Sequence, residues 1–150
     1  MRVHHSNEHH PVAAVKMRRP AGIVLTVGVL SWVSSCASLG PDTGAAAGVA
    51  VTFHQALSTS DGAAACALLA PETAAKVATL AGTECADAVL DEDVPDATAV
   101  ESSQAFGRSA QVQMDDDVLF LAIFDGQWRI TAAGCQYRGE QPYDCQLKGG

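Results

Sequence analysis

The chain has 150 residues, 17 acidic and 9 basic side chains, and a formal net charge of −8. That length suits one domain, and the charge excludes nucleic acid and an anionic lipid surface as electrostatic partners, since both select a positive field. With five cysteines and a domain-sized chain that buries only about two thirds of its unfolded surface, covalent staples are expected to supplement a lean core.

Residues 1–35 read as an N-terminal extension followed by a secretory leader. Lys16, Arg18 and Arg19 precede the apolar run AGIVLTVGVLSWV, Ala21 to Val33. The run is too short for a hydrocarbon core, which takes about 20 helical residues. A basic flank, a short apolar segment and then small residues make a signal peptide. Met17 is the better start of that signal. The upstream HHSNEHH holds four of the five histidines. It would be lost with the leader, so it is read as a dispensable extension and not as a metal site.

The leader closes on VSSC, which resembles the lipobox of bacterial lipoproteins. The resemblance implies a diacylglyceryl group on Cys36 and cleavage just before it, although Val and Ser depart from the usual Leu-Ala-Gly filling. The alternative is an ordinary small-residue cleavage site and simple secretion. Cysteine arithmetic favours acylation: five cysteines leave one over in an oxidising compartment, and Cys36 stands apart from the rest. The expected location is the outer side of the cell membrane, in the cell envelope, held by lipid.

Removing residues 1–35 takes away Glu8, Arg2, Lys16, Arg18 and Arg19, leaving 16 acidic and five basic residues and a net charge of −11. Four cysteines remain, Cys66, Cys85, Cys135 and Cys145, and three pairings are open. Local pairing, Cys66 with Cys85 and Cys135 with Cys145, is expected. A zinc site lacks any C-x-x-C pair, and export disfavours free thiolates. Neither a metal nor a cofactor is expected.

Residues 36–43 read as a lipidated cysteine and tether, and 44–150 as the folded domain. Thr43 is placed as the cap of a helix to about Thr59, with Val49, Ala50, Phe53, Ala56 and Leu57 on its apolar face. Asp61 caps a second helix through GAAACALLA. Pro71 opens a third, with Ala74, Val77, Ala78 and Ala81 in register and Gly82 as its stop. Thr83 caps a last helical turn or two through ECADAVL, and the acidic DEDVPD ends the helical half.

The period then changes. TAVESSQAF is a weak strand. In SAQVQM, Ala110, Val112 and Met114 alternate with polar residues. VLFLAIF, Val118 to Phe124, is continuously apolar, as expected of a strand covered on both faces. Asp125-Gly126 separates it from QWRITAA, and Asp-Gly between two such runs signals a type I′ hairpin. PYDCQLK adds an edge strand. Helices followed by an antiparallel meander make an α+β fold.

VAVTFHQALSTSDGAAACALLAPETAAKV, the helical CADAVL and the strands ending FDGQWRITAAGC resemble the nuclear transport factor 2-like superfamily, over about Gly44 to Cys135. The resemblance implies a curled sheet wrapped round the helices into a cone. Small exported lipoproteins with this fold occur in actinobacteria, and the alanine-rich, lysine-poor composition resembles that of proteins from high-GC Gram-positive bacteria. The fold hosts enzymes and binding domains alike. Enzymatic members such as ketosteroid isomerases and dehydratases work inside the cone with an acidic or histidine base.

The catalytic set for such chemistry is missing from the sequence. His54, the only histidine after the leader, falls one step off the apolar stripe and is expected at the helix surface or rim. No aspartate falls within an apolar strand. Asp115 to Asp117 is expected to be a solvated turn, lacking the alternation of a calcium loop. Arg129, opposite Trp128 in the alternation, is expected on the outer face with its stem snorkelling. Tyr137 and Tyr143 are expected to cap the core beside the last disulfide.

The expected function is therefore non-catalytic: a binding or accessory protein of the envelope, taking a small apolar ligand or a protein partner. His54, Trp128 and Arg129 are the candidate ligand-pocket residues, and dimerisation through the sheet is compatible with this reading. The alternative is an isomerase- or dehydratase-like enzyme using His54.

Overall fold

A computed structural model describes residues 42–149. The leader, Cys36 and most of the tether lie outside the described residues. Helix α1 spans Thr43–Ser58, and its cap is Asp42, whose side chain accepts the Ala45 N–H at 3.1 Å. The expected cap, Thr43, is instead the first helical residue. Aspartate, a carboxylate at a helix N-terminus, is the better complement to the unpaired N–H groups there.

Helix α2, Gly62–Leu68, is capped by Asp61, which accepts the Ala64 N–H at 3.0 Å. Helix α3, Pro71–Ala81, has proline in its first turn and ends on Gly82 at φ 70°, where the left-handed conformation favours glycine. Its buried residues are Thr73 and Val77, and the Thr73 hydroxyl donates to the Thr131 carbonyl. Ala81, expected in the apolar row, is exposed. Helix α4 is a single turn, Cys85–Ala88, preceded by Glu84 and not by Thr83.

Five strands follow: β1 Val100–Phe106, β2 Ser109–Met114, β3 Val118–Phe124, β4 Gln127–Arg138 and β5 Gln141–Lys148. They form one antiparallel sheet in sequence order, an open meander. The β3–β4 turn has φ 49° at Asp125 and 79° at Gly126, as a type I′ hairpin requires. Phe124 pairs with Gln127, Ile123 with Trp128 and Leu121 with Ile130.

This register sets the inner face. Ala110, Val112, Met114, Leu119, Leu121, Trp128, Ile130, Ala133 and Leu147 are buried there against Ala46, Ala50 and Phe53 of α1 and Ala65 of α2. Beyond the reach of β5, the free edge of β4 is taken by the segment after α2: Leu69 bridges to Ile130, and Ala70 N–H donates to the Ile130 carbonyl at 2.8 Å.

β3 departs from the expectation of two covered faces. Leu119 and Leu121 are buried, and so is Val118 at the start of the alternate face, but Phe120, Ala122 and Phe124 on that face are only half-buried. Phe120 packs edge-on against Tyr143 with ring centroids 5.1 Å apart, and Tyr143 against Tyr137 at 5.6 Å. Tyr137 is 71% exposed and does not cap the core.

Two disulfides close the fold, Cys66–Cys85 and Cys135–Cys145. The first ties α2 to α4, and the second joins directly paired residues of β4 and β5. Each stabilises by about 2–4 kcal/mol in the chain-entropy account. Such bonds belong to an oxidising, extracytoplasmic environment. No helix among the described residues is long and apolar enough to cross a membrane.

Candidate functional site

Two of the three buried polar residues among the described residues, His54 and Asp117, meet in one place. Phe53 is fully buried in the last half of α1, and His54, the next residue, is 5% exposed. The two rings meet edge to face, 5.6 Å apart. The sequence expectation of a rim histidine is thus corrected. Ala50, Phe53, His54 and Leu57 follow the i, i+3, i+4, i+7 spacing, and the α1 stripe is wide enough to include the imidazole.

Its partner comes from the β2–β3 turn, where three consecutive aspartates take three environments. The Met114 N–H donates to the Asp117 carbonyl at 2.8 Å, closing the turn. Asp115 accepts the Thr98 N–H at 2.9 Å, the Thr98 hydroxyl at 2.8 Å and the Ala99 N–H at 3.3 Å. These bonds, the Thr98 backbone N–H foremost, hold its carboxyl down at about 2. Asp116 is exposed.

Asp117 turns inward and is 2% exposed. One carboxylate oxygen lies 3.1 Å from His54 Nε2, and the other accepts the Cys135 N–H at 3.0 Å. The turn expected to be wholly solvated therefore carries a buried acid, joined to a helix 63 positions away and to the strand that bears the second disulfide.

Asp117 was missed because sequence reasoning sought an aspartate inside an apolar strand. The available signal was its position one residue before VLFLAIF. By the alternation of the strand, Asp117 falls in the same row as Leu119 and Leu121, which face the core.

With Nε2 engaged, His54 Nδ1 makes no hydrogen bond among the described residues. Among the described residues no fully buried side-chain nitrogen or oxygen lacks a partner. His54 lines a surface cavity of about 460 Å³ with Gln55, Ser58, Asp96, Ala97 and Thr98. In the tautomer that donates Nε2–H to Asp117, Nδ1 is an acceptor. An oriented imidazole beside a cavity is able to take a proton.

Trp128 and Arg129 are elsewhere, so the three candidate pocket residues do not form one site. They line a shallower groove of about 350 Å³ with Ala45, Val49 and Leu68, at the opposite end of α1. Both are already engaged. The Trp128 indole N–H donates to the Asp42 carbonyl at 3.2 Å, and the Arg129 guanidinium donates to the Ala67 carbonyl and to Gln127 Oε1. Arg129 thus clamps the end of α2 to the hairpin and does not simply snorkel.

Between these two places the core is filled. Phe53, Met114, Leu119, Leu121, Ile130 and Leu147 are each under 2% exposed. Among the described residues no group of three or more His, Cys, Asp or Glu side chains is disposed to hold a metal ion. The outer face of the sheet is the less finished surface. It presents Phe120, Tyr143 and Tyr137 in a row, with Gln111 donating to the Tyr143 hydroxyl at 3.3 Å. Phe106 stands 64% exposed at one end.

Comparison of this chain with protein-family models, with curated proteins and with solved structures finds no match.

Proposed function

We propose that this chain is an exported accessory protein of the cell envelope, anchored by acylated Cys36. Its domain would be a nuclear transport factor 2-like cone that binds a protein partner on the outer face of its sheet and performs no catalysis. The observation that carries the reading is the contrast between the two sides of the sheet. The inner side is packed against the helices, with Phe53, Met114, Leu119, Leu121, Ile130 and Leu147 each under 2% exposed. The outer side leaves Tyr137 and Phe106 exposed, with Phe120 and Tyr143 half-buried beside Tyr137. Aromatic residues that pair a large contact area with a polar tip are favoured at protein interfaces. The leader and the resemblance to the lipobox support the address, and the two disulfides are in keeping with it.

Native mass spectrometry of the protein released from its own membrane tests this. A complex with a second polypeptide, lost on Tyr143→Ser, is the expected result. A monomer carrying a small-molecule adduct would contradict it.

One observation favours the second reading, an isomerase- or dehydratase-like enzyme. Asp117 lies against His54 Nε2 beside a cavity, and a carboxylate behind an imidazole fixes its tautomer and orientation. On that reading, small carbonyl compounds shift the His54 ring resonances and leave those of Tyr143 unmoved.

A further inference from the structure

The two ends of the sheet differ in ways the binding function does not use. At one end the chain arrives through Asp42, whose carbonyl is bonded to the Trp128 indole. A meander puts alternate turns together, so the β1–β2 turn at Gly107–Arg108 and the β3–β4 turn at Asp125–Gly126 share this end. Here Phe106 is 64% exposed. Arg108, which donates to the Ile123 carbonyl at 2.6 Å, and Arg129 are two of the five cations left after residue 35. Asp42 and Asp125 lie at the same end, with Glu72 to the side near Phe124 and Lys148.

The opposite end is strongly acidic. It holds the 115–117 turn and, bonded to it through Thr98, the end of the 91–96 acidic run.

We propose that the end at which the chain arrives rests against the bilayer, with the strands upright and the acidic end pointing away. This rests on the acylation of Cys36. Six residue steps from Cys36 to Asp42 span at most about 22 Å even when fully extended. The twelve residues of β4 span roughly 35 Å. The acidic end therefore approaches the lipid only if the domain tips over. Tipping brings its carboxylates to an anionic surface that repels them, whereas the upright pose offers a near-neutral end with an exposed phenylalanine. The overall charge of −11 does not oppose this pose, because the acyl chains supply the attachment and the charge supplies only the direction. The outer face of the sheet is then presented sideways, open to a neighbouring membrane-bound protein.

The test uses two exposed aromatic positions at opposite ends, Phe106→Trp and Tyr137→Trp, each in the full chain matured by its own host. After the leader is removed, Trp128 is the only other tryptophan and is common to both variants. Each protein is purified with its lipid and its intact mass taken. It is then reconstituted into phosphatidylethanolamine–phosphatidylglycerol vesicles containing lipids brominated near the head of the acyl chains. The added emission of Phe106→Trp should be quenched severalfold more than that of Tyr137→Trp. If the mass shows the diacylglyceryl group and the protein floats with vesicles, but the two are quenched equally or in the reverse order, the pose is wrong and the anchor stands. If the mass shows no lipid, the pose and the anchor fall together.

Discussion

Replacing Asp117 by alanine probes a buried carboxylate that joins a helix, a turn and a strand. The carboxylate serves the Cys135 N–H and His54 Nε2 at once, and it is 2% exposed. Removing it orphans two buried polar groups at about 1–3 kcal/mol each. The total loss is about 3–5 kcal/mol, in line with breaking other buried pairs, against a whole-domain stability of about 5–15 kcal/mol.

Asp117→Asn keeps an acceptor for Cys135 and offers an amide to the imidazole, so it should lose only about 1 kcal/mol. Asp116→Ala, one residue away and exposed, should stay within about 0.5 kcal/mol. Urea unfolding of the oxidised domain followed by Trp128 fluorescence gives all three, read as shifts in midpoint at constant slope. If Asp117→Ala and Asp116→Ala unfold alike, the buried His54–Asp117 link contributes nothing and the site as described does not exist.

Three further outcomes follow from particular contacts. A Cβ on Gly62 would lie 1.8 Å from the Ala86 carbonyl oxygen, while one on Gly48 meets nothing within 4 Å. In thermal denaturation, Gly62→Ala should therefore destabilise by about 1–3 kcal/mol or more, whereas Gly48→Ala in mid-helix should stabilise by about 0.5–1 kcal/mol. Gly126→Val, at φ 79°, should cost well beyond the ordinary surface range of about 0.5 kcal/mol, with Asp125→Asn nearly silent in the same assay. Asp115 has its carboxyl lowered from 3.8 to about 2. Its bonds to Thr98 and Ala99 thus contribute fully above the unfolded-chain value and are lost as pH falls through about 2. Carboxyl carbon shifts should show this titration, and Asp115→Asn should flatten that part of the stability–pH curve.

The elements that could be read from the chain are those fixed by neighbours in sequence. Asp125-Gly126 specifies its own turn, and the turn then places Trp128 against Ile123 and buries Ile130 by alternation. Asp61 and Pro71 announce helix starts through the N–H groups they satisfy or lack. The disulfides were accessible because each joins cysteines within one local unit.

What escaped reading depends on contacts across the fold. Asp117 is set apart from Asp115 and Asp116 only by which way a tight turn faces. The alternate face of β3 is apolar in sequence, yet past Val118 it is only half-buried, with Phe120 set against Tyr143. Arg129 and His54 both look like surface residues in one dimension. The clamp on Ala67 and the bond to Asp117 exist only because α2 and α1 pack where they do. The leader and Cys36 lie outside the described residues and stand on sequence pattern alone.

The measurement that bears most directly on the account is the intact mass of the mature protein purified from the membrane of its native host. A chain beginning at Cys36 and carrying a diacylglyceryl group, with Cys36→Ala left uncleaved or released from the membrane, is the predicted result. A soluble chain with a free N-terminus at Ala37 or Ser38 and no lipid mass would contradict it.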